Sequence, residues 1–177
     1  MSGRFRRILV LGLTALGLPA LAAASDLRFH TVGIAGGLGT ALDRDSSEID
    51  NTVLQVSYSF ATGDQSRVSA RLGSYSFARE EVLNGFVDPR LVYATVTGEW
   101  RNRERVYNSG FYGGLGIYRL ESSAGGHVAE LGVTAGYNGE FEITRSMDLV
   151  LEFAGHYVDF PRDQAFAQAM IGLAWNF

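Results

Sequence analysis

The stretch that decides the fold is QAFAQAMIGLAWNF, residues 164–177, in which apolar side chains recur at every second position. Successive side chains of a β-strand point to opposite faces, so this pattern predicts a strand with one apolar face. Gln164, Gln168 and Asn176 fall on the other face. The segment exceeds the roughly 9–11 residues that a tilted membrane-spanning strand needs. We therefore expect a long strand that ends at Phe177 and closes a sheet.

Seven further segments alternate in the same way, so the sequence predicts eight strands. The fifth carries aromatic residues on both faces, and we assign Phe111, Leu115 and Ile117 to its apolar face. The seven segments lie at about residues 32–38, 52–60, 67–72, 92–101, 107–120, 130–138 and 148–157.

The connections between the predicted strands alternate in length. Short turns are predicted at residues 61–65, 102–105 and 139–145. Longer connections are predicted at residues 42–51, 78–89, 121–126 and 159–163. Short turns at one rim and longer loops at the other are typical of outer-membrane β-barrels, with the short turns on the periplasmic side.

The N-terminal segment has the three zones of an export signal. Arg4, Arg6 and Arg7 precede an apolar stretch at residues 8–18, and small residues follow at 22–24. This arrangement is typical of a cleavable signal peptide. We predict a signal peptide at residues 1–24 and a barrel domain at residues 25–177.

Composition excludes several function classes. All 15 basic residues are Arg, and 19 residues are acidic. Without Arg4, Arg6 and Arg7, 12 basic residues remain and the charge of the predicted mature chain is −7. Nucleic-acid binding requires clustered positive charge and is not expected. The chain contains no Cys, which excludes disulfides, thiolate metal sites and a cysteine nucleophile.

The charged residues of the predicted strands avoid the apolar faces. Together with the export signal and the strand lengths, this predicts an all-β, eight-stranded antiparallel transmembrane barrel with its apolar face toward lipid. Unpaired backbone groups are costly in lipid, so the last strand should pair with the first. Side chains just fill an eight-stranded bore, and a wide pore is not expected. The predicted interior polar network comprises Arg67, Arg71, Glu99, Arg101, Glu130, Glu152 and His156.

Aromatic residues near the predicted strand ends suit the girdles that flank the apolar band of such barrels. They are Tyr58, Phe60, Trp100, Tyr107, Tyr137, Trp175 and Phe177.

The predicted mature chain resembles the small outer-membrane β-barrel family, which includes the OmpA transmembrane domain and OmpX-like proteins. The resemblance covers about residues 26–177 and rests on the architecture and on the final Trp175-Asn176-Phe177. It implies an outer-membrane location and contact with membrane lipids and lipopolysaccharide. It also implies that the barrel assembly machinery recognises Trp175 and Phe177. Members mostly serve envelope integrity, adhesion or surface interaction, and the resemblance brings no catalytic motif.

Some eight-stranded outer-membrane barrels modify lipid A, so an enzyme is the alternative. His127, with Ser122 or Ser123 and Glu130, would supply the base, nucleophile and acid of a deacylase. That family keeps its residues as His-x-Ser, whereas neither His127 nor His156 has Ser two positions later. Polar loop residues are the favoured interpretation of this group. His156 is interpreted as a buried, hydrogen-bonded histidine near Glu152.

The first long connection holds four carboxylates, of Asp43, Asp45, Glu48 and Asp50. It lacks the Gly of an EF-hand loop, so a solvated acidic loop is favoured over a Ca²⁺ site. No cofactor is predicted, and no surface ligand is indicated. We expect a non-enzymatic role in envelope structure or surface interaction; a lipid A-modifying enzyme and a narrow solute channel are the alternatives.

Overall fold

A computed structural model describes residues 30–42, 51–77, 82–83, 86–103, 107–122, 125–161 and 164–177. The predicted signal peptide and the acidic loop at residues 43–50 lie outside these ranges. Within them, no helix is long and apolar enough to cross a membrane.

Ten strands follow one another along the described chain. They are β1 (His30–Ala41), β2 (Asn51–Gly63), β3 (Ser66–Ser76), β4 (Val82–Leu83), β5 (Phe86–Val87), β6 (Pro89–Arg103), β7 (Tyr107–Ser122), β8 (His127–Thr144), β9 (Met147–Val158) and β10 (Gln164–Asn176).

Eight of these strands form one closed antiparallel barrel in the order β1-β10-β9-β8-β7-β6-β3-β2. Closure joins the first and last strands, with Thr31 opposite Asn176 and Ala41 opposite Phe166. The backbone N–H of Phe177 donates to the His30 carbonyl at 3.0 Å, which extends this seam by one more residue. The predicted eight-stranded barrel is confirmed. The small hairpin of β4 and β5, which lies between β3 and β6, was not predicted.

One predicted turn is wrong. The sequence places a turn at residues 139–145, but β8 continues to Thr144 and only Arg145 and Ser146 form the turn to β9. Asn138 and Glu140 continue the inward-facing positions of β8, and both side chains are buried. The short turns β2–β3 and β8–β9 mark what we call the inner rim. The longer connections between strands mark the outer rim.

Outward-facing positions form an apolar surface, as the alternation predicts. Leu72, Phe111, Ile117 and Phe153 are each more than half exposed at the outside of the barrel. The face of β7 that carries Phe111 and Ile117 therefore points outward, as predicted. An apolar exterior around a polar and aromatic interior is the reverse of a soluble barrel and suits a lipid surround.

The predicted girdle aromatics gather near the inner rim. Trp100 is 71% exposed and Phe177 is 67% exposed. His30 stacks on Phe177 with ring centroids 5.7 Å apart and bonds to the Tyr58 hydroxyl at 2.7 Å. Near the outer rim, by contrast, several aromatic side chains turn into the barrel.

Candidate functional site

The inner half of the bore holds a chain of alternating charges from four strands. Glu140 of β8 pairs with Arg67 of β3 at 2.8 Å and also with Arg101 of β6. Nε of Arg101 lies 3.2 Å from Oε1 of Glu99. The sequence of contacts up to this point is Arg67–Glu140–Arg101–Glu99.

Arg71 of β3 extends this chain toward the middle of the barrel. Its guanidinium lies 3.9 Å from Oε2 of Glu99 and 3.5 Å from Oε1 of Glu152 on β9. The complete chain, Arg67–Glu140–Arg101–Glu99–Arg71–Glu152, is called the charge chain below. Its six side chains are all buried. Three cations alternate with three carboxylates, so each buried charge has at least one partner of opposite sign.

Neutral side chains hold the charge chain in place. The amide nitrogen of Asn138 donates to Glu99 at 3.1 Å, and the Tyr112 hydroxyl donates to Glu152 at 2.5 Å. The guanidinium carbon of Arg71 lies 4.0 Å from the centre of the Tyr112 ring, close enough for a cation–π contact. Hydrogen bonds that complete an ion pair offset part of the cost of desolvating its charges.

The predicted interior network separates into two groups. Arg67, Arg71, Glu99, Arg101 and Glu152 come together in the charge chain.

Glu130 and His156 lie elsewhere in the barrel. Glu130 is partly exposed on β8, opposite Tyr118 near the outer rim. Glu140 takes the predicted place of Glu130 in the charge chain. It lies on the same face ten residues further along β8. Because Glu140 falls within the wrongly predicted turn at residues 139–145, it is absent from the predicted network.

The outer half of the bore is a packed aromatic and aliphatic cluster. His156 lies in this cluster, where Nδ1 is 2.8 Å from the Tyr118 hydroxyl and the ring centre is 5.0 Å from that of Tyr93. The members are almost fully buried, as in the core of a soluble domain. This outer cluster includes Val53, Tyr75, Leu91, Tyr93, Tyr118, Leu120, His156, Val158 and Phe166.

Loop residues close the outer mouth over this cluster. Leu83, in the hairpin between β3 and β6, is 3% exposed, and Phe160, after β9, is 2% exposed. Both belong to the hydrophobic core, and Phe86 packs against it. Leu83 and Phe160, both in connections that the sequence predicts to be long, are thus buried in the barrel.

Gln55 of β2 joins the outer cluster to the charge chain. Its amide nitrogen donates to Oε2 of Glu152 at 3.1 Å, and its amide oxygen accepts from the Tyr93 hydroxyl at 2.8 Å. A cavity of about 30 Å³ extends from Gln55 along the charge chain, lined in part by Arg67, Glu140 and Glu152. A space of this size holds about two water molecules.

The candidate deacylase residues do not converge. His127 lies opposite Glu121 at the outward-facing positions of β8 and β7. Ser122 and Glu130 occupy the opposite, inward-facing positions of these strands, and Ser123 lies outside the described residues. Among the described residues, no group of three or more His, Asp or Glu side chains is placed to hold a metal ion.

Comparison with known proteins gives a fold and no closer relationship. No protein-family model matches the chain, and neither does any curated protein sequence. Among solved structures, Neisserial surface protein A matches with a TM-score of 0.68 and 12% identity, over 85% of this chain and 98% of that one.

Two further structures match over similar lengths. The N-terminal β-barrel domain of Pseudomonas aeruginosa OprF has a TM-score of 0.59 and 12% identity, over 83% of this chain and 97% of that one. The attachment invasion locus protein Ail of Yersinia pestis has a TM-score of 0.57 and 13% identity, over 85% of this chain and all of that one. All three are small eight-stranded outer-membrane barrels, and this chain has their fold.

Proposed function

We propose that this chain is an outer-membrane barrel that acts through its outer surface, in envelope structure or surface interaction, and that it neither conducts solutes nor modifies lipid A. The apolar exterior and the matched fold support the outer-membrane location. The observation that carries the functional part is the filled bore. The charge chain occupies its inner half and the outer cluster its outer half.

A filled bore argues against the channel alternative. A passing solute would have to displace side chains such as Tyr93 and Phe166, which are 1% exposed, and then cross a row of paired charges. The cavity along the charge chain has room for about two waters. Exchange with the outside is therefore limited to the surface, where the outer connections and the outward-facing side chains lie.

Planar-bilayer recording tests this part of the proposal. The purified, folded barrel should give no discrete conductance steps above those of the bare membrane. A variant with shortened side chains in both halves, Tyr93→Ala and Phe166→Ala in the outer cluster with Arg71→Ala and Glu152→Ala in the charge chain, tests whether the assay detects an opened bore. Reproducible steps from the wild-type protein would refute the proposal.

Mass spectra of lipid A address the enzyme alternative. The acyl pattern should be the same in cells with and without the protein, because His127 and Glu130 lie on opposite faces of β8. Loss of an acyl chain that depends on His127 would reverse this conclusion.

A further inference from the structure

The charge chain is paired closely at its inner end and loosely at Arg71. Arg67 lies 2.8 Å from Glu140 at the inner end. The guanidinium of Arg71, by contrast, lies 3.9 Å from Glu99 and 3.5 Å from Glu152. Direct N–H···O hydrogen bonds span about 2.7–3.2 Å, so both of these contacts are longer than a hydrogen bond. Polar groups at such a separation are commonly joined through a water molecule.

Several buried polar atoms around Arg71 have no direct hydrogen bond. Among the described residues, no group accepts from Nε of Arg71, and none donates to Oε2 of Glu99 or to Oδ1 of Asn138. Each of the three side chains is at most 5% exposed. A buried polar atom without a hydrogen bond lowers the stability of a protein, so such atoms usually bond to protein or to ordered water. One donor and two acceptors thus remain to be matched at this point.

The cavity along the charge chain reaches all three of these side chains. The rest of its wall includes small residues, which are Gly33 and Ala35 of β1, Ser57 of β2 and Ala174 of β10. Side chains just fill an eight-stranded bore, so small residues on one side of it leave space beside the charged groups on the other. The sequence therefore leaves room for about two water molecules next to Arg71.

Water matches the unbonded atoms better than an ion of either sign. An anion in the cavity would be attracted to Arg71 but repelled by the carboxylate of Glu99. A cation would be attracted to Glu99 but repelled by Arg71. A water molecule can accept from Nε of Arg71 and donate to Oε2 of Glu99 at the same time. The volume of the cavity excludes larger polar molecules.

We propose that the cavity binds two water molecules as members of the charge chain, and that they bridge Arg71 to Glu99 and Asn138. The charge chain then has two parts. Its inner part is paired directly, through Arg67, Glu140 and Arg101, and its outer part is hydrated around Arg71. The site goes beyond the proposed function, which requires only that solutes do not pass.

Water-selective NMR on the full-length folded barrel in detergent micelles tests the site. The Nε–H proton of Arg71, assigned by its absence in Arg71→Lys, should show a nuclear Overhauser effect (NOE) to bound water. A rotating-frame experiment separates this NOE from proton exchange with the solvent, because the two signals have opposite signs.

Two substitutions of nearly equal size at Ser57 test whether the water bridges the charges. Leu and Asn should both displace the water, so the NOE at Arg71 should be lost in Ser57→Leu and in Ser57→Asn. The Asn amide can still donate and accept hydrogen bonds, whereas Leu cannot. The equilibrium constant for unfolding should therefore be about tenfold higher, or more, for Ser57→Leu than for Ser57→Asn.

Urea titrations in lipid vesicles measure these equilibrium constants. Ser146→Asn, in the exposed inner-rim turn, is the matched control and should keep both the NOE and the wild-type stability. Heat-modifiable migration on an unboiled gel checks that every variant is folded.

Three results would overturn the proposed water site. The first is the absence of an NOE between water and Nε–H of Arg71 in the wild type. The second is a saturable shift of this resonance on addition of NaBr, which would show that the cavity holds an ion. The third is equal stability of the two Ser57 variants, which would show that water does not bridge the charges. All three leave the proposed function standing, because that proposal fails only if the bilayer recordings show conductance or lipid A is modified.

Discussion

The two halves of the bore fill the same space by different physics. In the inner half, the charge chain joins β3, β6, β8 and β9 through paired guanidinium and carboxylate groups. In the outer half, aromatic and aliphatic side chains pack as they do in a soluble core. Burying a charge is costly unless it is paired, while burying an apolar ring is favourable by itself. Removing a polar atom should therefore lower the free energy of unfolding when the atom lies in the inner half and change it little when it lies in the outer half.

The largest effect is expected at Glu140, the carboxylate that two guanidinium groups share. Glu140→Gln leaves Arg67 and Arg101 without their common counter-charge and should lower the free energy of unfolding by about 3–5 kcal/mol. Glu130→Gln, on the same face of the same strand but partly exposed, is the matched control and should change it by no more than about 0.5 kcal/mol. Urea titrations in lipid vesicles measure both. Equal effects of the two substitutions would show that the charge chain contributes nothing specific.

Two Tyr→Phe substitutions, one in each half of the bore, compare the effect of removing a single buried hydroxyl group. The Tyr112 hydroxyl donates to Glu152, and its removal should lower the free energy of unfolding by about 1.5–3 kcal/mol. The Tyr75 hydroxyl is buried and has no hydrogen-bond partner among the described residues. Tyr75→Phe should therefore leave the stability unchanged or raise it by about 1 kcal/mol.

The same urea titrations measure the Tyr→Phe pair. If Tyr75→Phe lowered the free energy of unfolding as much as Tyr112→Phe, the distinction between the two halves would be contradicted.

The smallest effect concerns the junction at Gln55. Gln55→Leu and Tyr93→Phe remove the same hydrogen bond, so their effects on the free energy of unfolding should be non-additive by at least about 0.5 kcal/mol. Ser59→Ala lies near the inner rim, where its hydroxyl bonds to Ser69, and should combine additively with Gln55→Leu. A double-mutant cycle for each pair measures the coupling. If the effects of Gln55→Leu and Tyr93→Phe on the free energy of unfolding were additive, Gln55 would not couple the outer cluster to the charge chain.

Much of this fold was predictable because each strand has two faces of opposite character. The alternation in residues 52–60 and 148–157 correctly predicted which side chains point outward. Strand ends were harder, because Gly139 looked like a turn residue although it lies within β8. That error removed Glu140 from the predicted network and left Glu130, which has the same parity, in its place.

The outer cluster has a signal in the sequence. Tyr93 and Phe166 lie two residues from Thr95 and Gln168, on the same polar, inward-facing sides of their strands. Inward-facing aromatic residues near the outer ends of strands indicate a packed mouth. The burial of Leu83 and Phe160 was not predictable from alternation, because both belong to connections that lack a long period-two pattern. The role of Trp175 and Phe177 as an assembly signal stays a prediction.

The central claim is that the bore is filled from one rim to the other, and cysteine accessibility tests it most directly. The chain has no Cys, so a single introduced thiol reports without background. Ser69 lies between Arg67 and Arg71 and is 1% exposed, whereas Ser146 lies in an exposed turn. In the folded barrel, Ser69→Cys should react with a small water-soluble thiol reagent at least about a hundredfold more slowly than Ser146→Cys. When both variants are unfolded in urea, the two thiols should react at the same rate. Comparable rates in the folded state would contradict a filled bore.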